Sequence, residues 1–174
     1  MLTLLVHFYN PVLDKDGVLN KLVAFADPPY CHCELEFADG QSCAVYMGGK
    51  VHLKTRQFDP KSYDTVRVQC TAQQHARAQQ LAVDLQLEQQ VFSRRAMLAS
   101  KFTVFPVRDT RTYTCCSKLC CEILQEASVL PRDTVAARLT PSMLCAVLTH
   151  PLLPVCDSTV IDFKPCDRIF KEVP

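Results

Sequence analysis

The chain lacks a surplus of charge of either sign: 19 Lys and Arg stand against 18 Asp and Glu in 174 residues. Nucleic acids and anionic membranes attract proteins through a basic field, so this balance argues against a specific nucleic-acid partner. Also missing is any apolar run approaching the roughly 20 residues that span a bilayer, and no transmembrane segment is expected. The opening run Leu2 to Val6 is short, has no basic lead and meets His7 at once, which is not the build of a secretory leader. Low-complexity tracts and repeats are absent too. With 48% hydrophobic and 21% charged residues the composition is that of a globular chain, and its length suits a single domain over residues 1–174.

Cysteine is what the chain has in excess, with eleven copies. Disulfides, metal or burial must account for them. With no export signal the expected setting is a reducing, intracellular one, and an odd count cannot pair completely within one chain. Charge balance fails locally between Ser93 and Arg111, where Arg94, Arg95, Lys101, Arg108 and Arg111 face only Asp109. A solvated basic loop and an anion site both fit that stretch.

Apolar, β-prone Leu2 to Phe8 predicts a strand, closed by Asn10-Pro11 and Asp14-Lys15-Asp16-Gly17. Val18, Leu19, Leu22, Val23 and Phe25 recur at helical spacing, which predicts a short helix over about 17–26 before Asp27-Pro28-Pro29. From Cys31 to Phe37 the sequence alternates, with Cys31, Cys33, Leu35 and Phe37 on one face and His32, Glu34 and Glu36 on the other, the pattern of a half-buried strand. Runs at Ser42 to Met47 and Val51 to Thr55 extend it into an antiparallel meander, and Thr65 to Cys70 brings the sheet to about five strands. Between Thr71 and Phe92, Ala78, Leu81, Ala82, Leu85 and Val91 mark the longest helix. After the basic stretch, which reads as a loop with room for a short strand at 102–105, a helix over 114–127 and a weaker one over 141–148 follow. The Pro-rich remainder to Pro174 reads as irregular chain.

Thr112 or Thr114 is a candidate N-cap, and Leu119, Cys120, Ile123, Leu124 and Ala127 form the stripe of the helix that follows. Cys115 and Cys116 then fall in its first turn, where exposed N–H groups and the positive end of the helix dipole favour the nucleophilic thiolate. Cys120, Cys121, Cys43, Cys70, Cys145, Cys156 and Cys166 suit small apolar core positions instead. Cys31-His32-Cys33 beside a Cys-rich helix also invites zinc. Strand alternation turns His32 away from its two neighbours, however, and paired CxxC knuckles are missing, so no metal and no other cofactor is expected. His32 shares a face with Glu34 and Glu36, where it can stay wet and gain a carboxylate neighbour, either as a base or as an ordinary surface histidine. His52 is a reserve candidate, whereas His7, His75 and His150 lack a comparable setting.

The order of these parts resembles the circularly permuted papain-like (NlpC/P60-type) thiol hydrolases, especially the YiiX/YaeF-like branch of bacteria and large DNA viruses. The matching stretches are Leu19 to Asp27, Tyr30-Cys31-His32-Cys33-Glu34-Leu35-Glu36-Phe37 with Asp39-Gly40, Gly49-Lys50-Val51-His52-Leu53-Lys54, and Tyr113-Thr114-Cys115-Cys116-Ser117-Lys118-Leu119, which together span roughly residues 17–150. The resemblance implies an α+β papain-like fold, an antiparallel sheet packed on helices, and Cys116 rather than Cys115 as nucleophile, since Ser117 follows it. It implies His32 as base and a peptide, isopeptide or acyl-lipid substrate, in host cytoplasm or virion if the source is viral. Two departures stand out: Lys118 occupies a place where the family often has Glu, and the strand after His32 offers only Ser42, Ala44 and Tyr46 as third residue, so Glu34 takes that role provisionally. An imperfect triad leaves a second expectation open, a catalytically silent viral interaction or structural protein on the same fold.

Overall fold

The computed structural model describes residues 1–11, 28–95, 97, 113–149 and 161–164. The expected helix at 17–26, the possible strand at 102–105, most of the basic stretch, and Thr112, His150, Cys156 and Cys166 lie outside them.

A six-stranded antiparallel sheet carries the molecule, in the order β4-β3-β2-β1-β5-β8. Its strands are β1 (Leu2–Tyr9), β2 (His32–Glu36), β3 (Gln41–Ala44), β4 (His52–Thr55), β5 (Tyr63–Cys70) and β8 (Ile161–Lys164). Central β1 fixes the two faces through its register, Val6 opposite Leu35 and Val66, Phe8 opposite Cys33, and Leu4 opposite Val68. Partners across a ladder share a face, so Leu4, Val6 and Phe8, all at 0% exposure, line one apolar layer with Cys33, Leu35, Val66 and Val68. The opposite face, also set by β1, is polar: His7 sits between Glu34 and Thr65, and Tyr9 between His32 and Tyr63.

Helices cover the apolar face. Helix α1 (Ala72–Leu87) starts at a capping box, in which the Thr71 hydroxyl accepts from the Gln74 N–H at 3.2 Å and the Gln74 side chain accepts from the Thr71 N–H at 2.9 Å. It buries Ala78, Ala82 and Leu85 in the core. The helix ends well before Phe92, because Gln89 adopts a left-handed φ of 54° and reverses the chain. Val91–Phe92 (β6) then pairs in parallel with Tyr113–Thr114 (β7). Helix α2 (Cys116–Glu126) buries Leu119, Cys120, Ile123 and Leu124 beneath the sheet. Full burial of a Leu or Ile side chain contributes about 1.5–3 kcal/mol, so this stripe anchors α2 firmly against β2. Helix α3 (Pro141–Thr149) begins with Pro at its first position, and the Thr140 hydroxyl accepts from the Met143 N–H at 3.1 Å.

The tail departs from its expected irregular course. Ile161–Lys164 adds an antiparallel strand to β5, with Phe163 opposite Val66 and Ile161 opposite Val68, and the main sheet therefore has six strands instead of about five. Its four-residue alternation is too brief, among flanking prolines, to signal a strand locally.

Candidate active site

The short β6–β7 ladder delivers the chain to the start of α2. The Ser93 N–H donates to the Thr114 carbonyl at 2.9 Å, and the Phe92 N–H to the Gly49 carbonyl at 2.9 Å, which ties this ladder to the turn between β3 and β4. Thr114 is thereby committed to β7, and the N-cap of α2 is Cys115, in extended conformation, instead of either threonine. The first helical bond runs from the Leu119 N–H to the Cys115 carbonyl at 2.9 Å. Cys116 is thus the first helical residue, and the N–H groups that open a helix have no carbonyl partner within it.

Opposite Cys116 stands the N-terminal half of β2. That strand pairs with β3 at Leu35 and Glu36, while α2 packs where the ladder leaves off. Cys116 there faces Cys33 and the His32 ring, and these are the groups that act on its thiol. The Cys33 thiol is the largest influence and lowers the Cys116 pKa. Burial opposes it, but the charge and hydrogen bond of His32 act with Cys33, and the balance holds the thiol well below its ordinary value. Cys115, one residue earlier, behaves oppositely, since burial and the neighbouring Cys116 charge push it up to about 11. Burial also raises Cys121, to about 12, and raises Cys33, Cys43 and Cys70.

His32 is not wet as its strand pattern suggested. Its side chain is 14% exposed, Nε2 is fully buried, and its ring stacks on Tyr46 with centroids 4.9 Å apart. Burial alone would lower its pKa, yet the Cys116 charge and hydrogen bond, joined by Glu34, raise it to about 10. The opposite directions of the two shifts favour the thiolate and imidazolium forms of the pair.

Glu34 is 1% exposed and meets His32 Nε2 through Oε1 at 3.4 Å, longer than a well-formed hydrogen bond. Three further donors hold the carboxylate: Ser42 Oγ to Oε2 at 3.1 Å, Tyr46 OH to Oε1 at 2.6 Å, and Arg56 Nη1 to Oε1 at 2.5 Å. Burial, the largest influence on Glu34, raises its pKa, but hydrogen bonds and opposite charge from His32 and Arg56 outweigh it and the result is a lowered value. The Ser42 and Tyr46 hydroxyls thus bond to the carboxylate rather than to an imidazole nitrogen, and Ala44 offers no polar group.

Arg56 and Tyr63 carried no local signal in the sequence. Arg56 directly follows β4 and donates through Nη2 to Tyr63 OH at 2.9 Å, while Phe58 from the same loop lies 3.7 Å, centroid to centroid, from the stacked His7 ring. His7 has a fuller setting than expected, with Nε2 2.8 Å from Glu36 and Nδ1 3.0 Å from Thr65. Desolvation nonetheless lowers its pKa. His52 stacks on Tyr46 at 5.2 Å and points Nδ1 at the Lys50 carbonyl, 3.2 Å away.

Cys116 and His32 open onto a cleft of about 400 Å³ whose other walls include Tyr46, Met47, Arg56 and Phe92. Among the described residues no three His, Cys, Asp or Glu side chains group so as to hold a metal ion, the nine cysteines are free, and no helix is long and apolar enough to cross a membrane. A cysteine thiol lowered beside a histidine, with a carboxylate behind the ring, comprises the kinds of group that acyl transfer uses. No protein-family model matches the chain, and no curated protein or solved structure matches it either.

Proposed function

We propose that the protein is a thiol hydrolase or acyltransferase of papain-like architecture in which Cys116 is the nucleophile, His32 the general base and acid, and Glu34 the group that orients the ring. The single observation that carries this reading is that Cys116, the first residue of α2, shares one cleft with His32, whose ring has Glu34 3.4 Å away; these surroundings lower the Cys116 thiol while burial pushes the adjacent Cys115 up to about 11. Burial by itself raises a thiol pKa, so a buried cysteine held as thiolate needs partners arranged for that purpose. The order of parts, histidine on an early strand and cysteine late at a helix start, agrees with the permuted papain-like resemblance.

In this reading the Cys116 thiolate attacks the carbonyl carbon of an amide, isopeptide or ester. The carbonyl oxygen becomes an oxyanion facing the N–H groups that open α2. Collapse expels the amine or alcohol, which takes the proton from the His32 imidazolium and leaves a thioester on Cys116. Water or an acceptor hydroxyl then attacks that thioester, neutral His32 takes its proton, and the departing thiolate re-forms the ion pair.

Iodoacetamide alkylation mapped by mass spectrometry tests the assignment. At pH 6 a thiol with a pKa of about 8.5 is only about 0.3% ionised. Full ionisation raises the thiolate fraction by about 300-fold, and the lower nucleophilicity of a more acidic thiol cancels roughly half of that on a logarithmic scale. Cys116 is therefore expected to react about tenfold faster than an ordinary exposed thiol and far faster than Cys120. His32→Ala removes one stabilising partner, and its labelling inflection is expected to move up by about 1–3 pH units. If Cys116 is no more reactive than Cys120 and His32→Ala changes nothing, the hydrolase reading fails and a silent interaction protein replaces it.

A further inference from the structure

Glu34 Oε1 has more suitors than lone pairs in good geometry. Arg56 and Tyr46 approach it at 2.5 and 2.6 Å, whereas His32 Nε2 stands off at 3.4 Å. The Arg56 guanidinium is itself fixed, donating through Nη2 to Tyr63 at 2.9 Å, touching Tyr46 OH through Nη1, and lying 5.4–5.7 Å from the ring centroids of Tyr46, Phe58 and Tyr63. Its side chain is 38% exposed, so it joins a buried carboxylate to the wall of the cleft. A cation clamped this tightly onto the far partner of a working imidazole has a consequence for that imidazole.

We propose that Arg56 is a positioning residue of this site: it competes with His32 for Glu34 Oε1, keeping the carboxylate ionised while limiting its hold on the imidazolium. The inference rests on the acyl-transfer reading above and deepens it. A general acid must release its proton to the leaving group, and a carboxylate engaged with the ring alone would retain that proton too strongly. By occupying Oε1, the guanidinium leaves His32 a charge partner that orients the ring over a long contact. Other groups facing Glu34 are accounted for: Ser42 bonds to the second oxygen, Cys43 stays a thiol because burial raises it, and His7 engages Glu36 and Thr65.

The test is a pH titration of the His32 ring by NMR on the full-length, histidine-labelled protein, with His32→Gln used for assignment. In the native protein the high-pH inflection is expected near 10, and the acid inflection transmitted from Glu34 below the ordinary 4.5. Arg56→Gln frees Oε1 and deletes a cation, so both inflections are expected to rise, that of Glu34 by about one unit or more. A merely structural role predicts a different pair of movements. An unpacked loop would hydrate the site, and the His32 inflection would then fall toward its ordinary 6.5 while that of Glu34 rose. Arg56→Lys keeps the charge and loses the fork, so it is expected to shift both inflections upward by less than Arg56→Gln, and it decides alone if the Gln variant does not fold. A falling or unmoved His32 inflection in the folded variant overturns the proposal. Cys116 alkylation in the unmodified protein tests the acyl-transfer reading separately, because the Arg56 test reads only the direction in which the inflections move from the native position, wherever that position lies.

Discussion

The Cys116–His32 pair makes folding stability depend on pH in a specific shape. His32 is raised from 6.5 to about 10 on folding, so its contribution is complete below 6.5 and is lost as pH rises through about 10. Cys116 is lowered from 9.0, so its contribution is complete above 9.0 and is lost as pH falls through the folded value. Counting protons on the pair turns these opposite signs into one curve. Between 6.5 and 9.0 the unfolded chain holds its proton on sulfur and the folded chain holds it on the ring, so neither state gains a proton over the other and stability is flat. Below 6.5 the unfolded chain binds one proton more, and above 9.0 one fewer. Each proton of difference changes stability by about 1.4 kcal/mol per pH unit. The pair is therefore expected to lose stability as pH falls below 6.5 for as long as Cys116 stays ionised, and to lose about 1 kcal/mol between pH 9 and 10. Urea unfolding of the native protein and of the double variant His32→Gln/Cys116→Ser, in which neither group titrates, isolates that curve as a difference. A difference that climbs or falls steadily through pH 6.5–9.0 would show that the pair does not rest as thiolate and imidazolium.

Two other perturbations follow from the same geometry. Glu34→Gln keeps the shape of the side chain and removes its charge, so the His32 ring is expected to titrate at least about one unit below its native position near 10, checked by NMR. Leu124→Ala opens a cavity at a position with 0% exposure on the stripe that seats α2, and an expected cost of about 2–5 kcal/mol is measurable by urea unfolding.

The sequence pattern of β2 foretold the fold better than the environment of its polar face. Cys33, Leu35 and Phe37 alternate into the core as their spacing required. The same alternation suggested that His32 and Glu34 meet water, yet both are covered. His32 is covered by Tyr46 and Cys116, and Glu34 by Arg56 from residues 56–63 beyond β4, which also bring Phe58 and Tyr63 against His7. Strand periodicity records which residues share a face and says nothing about a loop arriving from elsewhere in the chain. Arg56 and the pairing of His7 with Glu36 escaped notice for that reason, and so did β8, whose short alternation has meaning only beside β5.

The choice between Cys115 and Cys116 shows where local pattern and tertiary structure divide the work. A helix start was legible from the stripe Leu119, Cys120, Ile123 and Leu124, and it placed both cysteines where N–H groups favour a thiolate. Helix-start physics by itself does not separate two adjacent residues, because the dipole acts over the whole first turn. The separation comes from a one-residue shift in the cap. Had Thr114 capped the helix, Cys115 would have been its first residue; β7 uses Thr114, and Cys115 becomes the cap. Successive residues at a helix start point about 100° apart, so only one of the two sulfurs can face β2. Cys115 Sγ lies 3.7 Å from Ser117 Oγ, while Cys116 meets Cys33 and His32. The residue that meets His32 is thus selected by where a two-residue parallel ladder ends, a feature far too short to leave a period of its own.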